Sequence, residues 1–205
     1  MKAKLFSILF LLLFPQIIFA AYYELAFDFG YEKQIYGTNR ENSLVSRNYS
    51  GGLSLYLFDL TAIDLTYSST QETTTINDRY TIQAGYDVVN QQNRILTDVY
   101  GIGIKQMFAA RGARLTPVLS VGYAREFDTS SGDITIETTA SGVKNTYKMT
   151  ASKAVHNSMF GAFTLQLRLT ERFSLKGSIK SLFPAFEFNK AKDNLKYLVG
   201  FSWVF

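Results

Sequence analysis

Beyond residue 21 the chain alternates apolar and polar residues with a period of two, and it does so repeatedly. Tyr23, Leu25, Phe27, Phe29 and Tyr31 alternate with Tyr22, Glu24, Ala26, Asp28 and Gly30. One such stretch would suit a half-buried strand in any sheet, because successive side chains of a strand point to opposite faces. Here the pattern returns at residues 49–57, 63–67, 100–104, 115–123, 159–169, 173–183 and 197–205. That makes eight amphipathic segments of about ten residues, the length that crosses a bilayer when tilted. The connectors differ in length. Short ones lie at 58–60, 109–113 and 170–172; longer ones run over 32–47, 70–94 and 128–155, with a shorter one at 187–193. Short turns on one side and long loops on the other predict an all-β fold: an antiparallel up-and-down transmembrane barrel of eight strands. Residues 79–88 and 134–147 also look strand-like. Counted as spanning they would make ten strands; as hairpin extensions above the membrane they leave eight, the reading preferred.

Aromatic residues decide which face meets lipid. Tyr31, Tyr49, Tyr67, Tyr100 and Tyr123 fall toward the long loops, and Tyr23, Phe108, Phe173 and Phe205 toward the short turns. Two belts of aromatic side chains are what the two lipid interfaces favour. A soluble barrel with an apolar lumen would explain neither belt.

Residues 1–20 read as a cleavable secretory signal, followed by the barrel domain at 21–205. Lys2 and Lys4 precede an apolar run ended by Pro15, and Ala20 offers a small residue for cleavage. The run is short for a spanning helix, the competing reading. The chain has no Cys, which excludes disulfides, thiolate chemistry and a Cys-anchored lipid. Its single His excludes a site built on two imidazoles. The net charge of +4 includes the two signal lysines, and the other basic residues are scattered, so nucleic-acid binding is not expected.

The chain ends Lys196-Tyr-Leu-Val-Gly200-Phe201-Ser-Trp203-Val-Phe205. This resembles the carboxy-terminal signal of bacterial outer-membrane barrels, with an internal glycine, alternating aromatics and a terminal Phe. The resemblance implies recognition by the barrel-assembly machinery through Gly200, Phe201, Trp203 and Phe205. The overall plan is similar to the small barrels of the OmpX and OmpW kind and to the membrane domain of OmpA. It implies residence in the bacterial outer membrane, as a monomer among lipid and lipopolysaccharide, with no cofactor.

The phasing turns one set of charges inward: Glu24, Asp28, Asp64 and Glu126, with Lys105, Arg168, Lys176, Lys180 and Lys196. Ions in a narrow lumen must be paired or wetted, so a network of salt bridges is expected. A layer of Glu24, Asp64, Lys105, Arg168 and Lys176 is expected near the short-turn end, with Lys176 coupled to Glu24, and Asp28, Lys180 and Lys196 higher up. His156-x-Ser158 resembles the pair of outer-membrane lipid A deacylases, yet its parity is lumenal and no acid follows at mid-strand, so no catalytic site is expected. Residues 128–133 lack the acids of a calcium loop, and Gly101-x-Gly103 opens no helix. The expectation is a non-enzymatic envelope protein using its long loops at the surface. A narrow pore or an OmpW-like conduit for small or apolar solutes is the alternative.

Overall fold

The computed structural model describes residues 22–205 apart from 38 and 111; the proposed signal segment lies outside the described residues. Nine strands follow one another: β1 (Tyr22–Tyr36), β2 (Asn42–Tyr56), β3 (Thr61–Ile76), β4 (Tyr80–Gln83), β5 (Tyr86–Met107), β6 (Leu115–Thr138), β7 (Lys144–Arg168), β8 (Phe173–Pro184) and β9 (Leu195–Val204). A short 3-10 helix, Phe188–Asp193, joins the last two. Every pairing is antiparallel, in the order β3-β2-β1-β9-β8-β7-β6-β5-β4. The β3–β5 ladder closes the sheet, so eight strands form a barrel and the four-residue β4 is a flap on the upper part of β5. Closure removes the edges of the spanning wall, the condition for a sheet in hydrocarbon.

The short turns are locally determined. At 169–172 the Thr170 hydroxyl accepts the amides of Arg172 and Phe173, a side chain standing in for missing ladder partners. In the β4–β5 hairpin Gly85 takes φ +91°, a conformation that disfavours any residue with a Cβ. Both ends of the chain's described part meet at the short-turn side, where the Phe205 amide bonds the Tyr23 carbonyl at 2.9 Å.

The long connectors are mostly not loops. β1 and β2 stay paired out to Tyr36–Asn42, and β6 and β7 out to Glu137–Lys144. Thus β5, β6 and β7 have 22, 24 and 25 residues, against 12 and 10 for β8 and β9. A strand of that greater length runs on the order of 80 Å, a little over twice what a tilted crossing needs. The surplus stands beyond the eight-stranded barrel as a tall sheet on one flank. Its rungs are hydroxyl pairs, Thr135–Thr146 at 3.0 Å and Ser130–Ser152 at 2.7 Å. Its outer face carries ion pairs: Arg79–Asp87 at 2.8 Å, Arg79–Glu137 at 3.7 Å and Arg94–Asp133 at 3.6 Å.

Hydrogen bonds from Thr81 and Arg79 hold the Asp87 carboxyl below its usual range. A carboxylate depressed on folding stabilises the flap above its unfolded pKa, and that contribution is lost as pH falls through the folded value. Amide exchange at 80–88 is therefore expected to be steady from pH 7 to about 5 and to accelerate as pH drops below about 4, near the unfolded Asp value. A flat protection profile down to pH 3, after correction for intrinsic exchange, would remove Asp87 as the flap's latch.

Candidate functional site in the barrel lumen

The interior is filled in layers. At the short-turn end Tyr22 and Tyr56 stack with ring centroids 4.1 Å apart and planes within 7°. Ala62, Met107 and Val118 complete this apolar plug. These residues have lumenal parity but apolar side chains, so inward charge gives no sign of Tyr22, Met107 and Val118. The signal was a strand-end apolar residue on the polar face.

Directly above lies Glu24, only 2% exposed. Its carboxylate accepts from Tyr56 Oη at 2.7 Å, Lys105 Nζ at 2.8 Å and Gln166 Nε2 at 2.8 Å. Lys105 also donates to Ser54 Oγ, which in turn donates to Asp64 at 2.7 Å. Four strands are tied together across the lumen in this way, β1 and β2 to β5 and β7. Buried charges with every lone pair engaged are tolerated; bare ones are not.

The partner expected for Glu24 was Lys176, and the structure corrects this: Lys176 Nζ lies 3.1 and 3.2 Å from the two oxygens of Asp28. Register gives the reason. Asp28 and Lys176 both face Gly200 across their ladders with β9, so the three occupy one row and Gly200 leaves the space over which the lysine reaches. Asp28 is therefore level with Lys176, not above it.

Arg168 also leaves the expected layer. Its guanidinium donates to the Glu171 carbonyl at 2.9 Å, in the turn that closes β7 and β8. Lys180 and Lys196 are cross-strand neighbours of like charge. They part: Lys196 donates to Thr70 Oγ1 at 3.2 Å, while Lys180 lies 5.4 Å from the Phe160 ring centroid. Glu126 accepts the Ser158 hydroxyl instead of pairing with a base.

A cavity of about 60 Å³ separates the charge rows from Phe160 and is lined by Asp28, Asp64, Lys105, Lys176 and Lys180. It has room for a few waters, at roughly 10–15 Å³ of such space each. Phe160 roofs it. The ring lies against Gly101, Gly103 and Gly122, where an added Cβ would stand 3.0, 2.9 and 2.6 Å from ring carbons. Val99, Ala124 and Leu182 pack around it.

Above the roof the lumen opens into a mouth of about 470 Å³, lined by Glu72, Glu126, Asp128, His156 and Lys196 among others. His156 Nε2 faces Asp128 at 3.5 Å while Ser158 is bonded to Glu126. The serine proton is thus directed at a carboxylate and the imidazole at a different one, which is not the relay a nucleophilic serine needs. Among the described residues no cluster of His, Asp and Glu could hold a metal ion.

On the outside, Tyr31, Tyr49, Tyr67, Tyr100 and Tyr123 are all exposed at the upper level. Tyr67 and Tyr100 face each other with centroids 5.1 Å apart, and Phe29 packs on Tyr49 at 5.3 Å. At the lower level Tyr23, Phe108 and Phe205 are exposed, and Phe173 contacts Phe201 and Trp203 at 5.9 Å each. Phe201 and Trp203 point outward on β9 beside the lumenal Gly200.

No protein-family profile and no curated protein matches the sequence. Solved structures do. The N-terminal β-barrel domain of Pseudomonas aeruginosa OprF is similar with a TM-score of 0.52 at 14% identity, over 90% of this chain and 97% of that one. Ail of Yersinia pestis gives a TM-score of 0.46 at 9% identity, and Neisserial surface protein A 0.41 at 10%, with the same coverage of 90% and 97%. The closed antiparallel eight-stranded wall and the OprF likeness agree: this chain has the fold of the small eight-stranded barrels of bacterial outer membranes.

Proposed function

We propose that this is an integral outer-membrane protein without enzymatic activity, whose barrel anchors a tall surface sheet. The observation that carries this reading is the division of labour between the two ends. Below, the plug of Tyr22 and Tyr56, the Glu24–Lys105 row and the Phe160 roof succeed one another across the lumen. Above, β5, β6 and β7 run far past the spanning part and present polar, hydrogen-bonded faces to solvent. An anchor needs a sealed lumen; a display surface needs rigid strands above the lipid. The aromatic belts and the exposed apolar band between them support the membrane placement.

A pore is the competing reading. Refolded protein in planar bilayers is expected to show no steady conductance at moderate voltage, with at most brief openings when the buried ion pairs exchange partners. A stable, large open state in the unmodified protein would reverse the assignment in favour of a narrow channel.

A further inference from the structure

We propose that the top of the β1–β9 seam is a binding cleft for a single-chain lipid of the outer leaflet whose acidic head also carries a hydroxyl. This rests on the membrane placement proposed above.

The seam stops short. Pairing between β1 and β9 ends at Phe29–Val199, although β1 continues to Tyr36 and β9 begins at Leu195. Continued in register, Tyr31 would face Tyr197 and Glu32 would face Lys196. Instead a cavity of about 270 Å³ separates them, lined by residues of both parities. Gly30, Glu32, Ser46, Asn48, Lys196 and Leu198 have lumenal parity, Glu32 with its carboxylate beyond 4.0 Å from the Lys196 amine; Tyr31 and Tyr197 have the parity of the lipid face. The cavity is thus bordered by residues of both the lumenal and the outer face of the wall.

Its level and lips indicate what can reach it. Tyr31 belongs to the upper aromatic belt and is 56% exposed; Tyr197 is 71% exposed. Aromatic side chains at that height mark the interface between headgroups and acyl chains. A chain lying along the barrel's outer face would pass between the two rings before meeting anything polar.

The floor indicates the head. Asn48 is only 7% exposed, and its Oδ1 has no hydrogen-bond partner. Its Nδ2 is engaged, donating to Thr70 Oγ1 at 2.6 Å, so the amide is oriented with the bare acceptor free. A buried acceptor without a donor is costly, and an incoming O–H would satisfy it. Lys196 supplies the charge. Its Nζ sits 3.2 Å from Thr70 Oγ1, beside the same amide, and among the described residues no carboxylate oxygen lies within 4.0 Å of it. An acidic group would complete that amine and a neighbouring hydroxyl would complete Asn48. Gly30 lets β1 approach β9 at the cavity's edge, since a Cβ there would stand 2.7 Å from Leu198 Cδ2 and 3.0 Å from the Tyr197 carbonyl.

The test uses the full mature chain, refolded in a non-ionic detergent, with three probes of equal chain length: 3-hydroxydodecanoate, dodecanoate and 1,2-dodecanediol. Retention of each is read by native mass spectrometry. The hydroxy acid is expected to bind about tenfold tighter than the plain acid, the size of one buried hydrogen bond. Asn48→Leu should abolish that preference, and Lys196→Met should abolish the preference for the acid over the diol. Asn48→Asp keeps an acceptor for a hydroxyl and turns the Thr70 bond around, so that Thr70 Oγ1 donates, but it repels an acid; it should weaken the hydroxy acid about tenfold or more and spare the diol. Each variant must first show the wild-type gel shift between unheated and boiled samples. Equal retention of all three probes by the wild type, or retention insensitive to Asn48 and Lys196 in folded variants, would overturn the proposal. Floating the protein with bacterial membrane fractions separates its failure from that of the membrane placement: protein that floats yet ignores the probes loses only the cleft.

Discussion

Replacing Lys105 by Met is expected to destabilise the barrel by about 3–5 kcal/mol, the usual consequence of stripping one member from a buried ion pair. Lys105 is 4% exposed and its amine is the only cation within 4.0 Å of the Glu24 carboxylate among the described residues. Without it, Tyr56 and Gln166 still donate, but the negative charge has no counterion. Met fills the same length of lumen, so the effect is electrostatic and not a cavity. The double variant Glu24→Gln, Lys105→Met should recover most of the loss, because a neutral amide keeps hydrogen-bonding capacity toward Tyr56 and Gln166 without a charge. Urea unfolding of the four members of this cycle in lipid vesicles gives the coupling directly. If the two single losses simply add, the pair is a bystander. The same cycle on Lys176 and Glu24 should be near additive, since Lys176 is bonded to Asp28.

Valine at position 200 is expected to prevent closure altogether. A Cβ on Gly200 would collide with the Phe27 carbonyl oxygen and stand 2.5 Å from Asp28 Oδ1 and 2.8 Å from Asp28 Cα. Two of those are backbone atoms of β1, so the strain cannot be relieved by turning a flexible side chain; the ladder itself must part. Gly200 pairs with Asp28 in the six-residue ladder that joins β1 to β9, the shortest seam of the spanning wall. Opening it exposes backbone polar groups to hydrocarbon, at several kcal/mol each. The heat-modifiable form should vanish from gels of the Gly200→Val protein. Gly161→Val is the control: nothing lies within 4 Å of a Cβ there, and the variant should fold like the parent. A folded Gly200→Val barrel would mean that the seam tolerates a side chain and that the glycine serves some other end.

The spanning wall was legible because lipid and lumen impose opposite demands on alternate residues. Tyr23 to Tyr31 could be phased by that contrast alone, and so could 159–169. Beyond the barrel's apolar outer band both faces of a strand meet water, and the contrast disappears. Thr73, Thr74 and Thr75 look the same on either side, so β3 could not be followed to Ile76 nor β6 and β7 across 128–133 and 148–155, whereas 79–88 and 134–147 read as hairpin extensions. Inwardness of the charges follows from parity within one strand, which the sequence contains. Who meets whom depends on register between strands, which it does not. Hence Asp28 and Lys176 could be placed on the lumenal face but not in one row, and Arg168 could not be seen to fold back onto its own turn. The Asn48 acceptor was invisible for a similar reason: an asparagine on a polar face is unremarkable until its neighbours are known to leave one oxygen bare.

The Phe160 ring on its floor of Gly101, Gly103 and Gly122 ties four positions into a single volume constraint. The slot holds one large side chain and three absent ones. Size cannot simply be moved among these positions: at 103 and 122 a Cβ would meet the Val121 and Ile102 carbonyls across the β5–β6 ladder before it met the ring. Sequences that keep this architecture should therefore hold glycine at 103 and 122 whatever stands at 160, while a bulkier residue at 101 would need room from both Thr66 and the residue at 160. A change at any one of the four alone would be felt first as a shift in the spacing of two neighbouring strands.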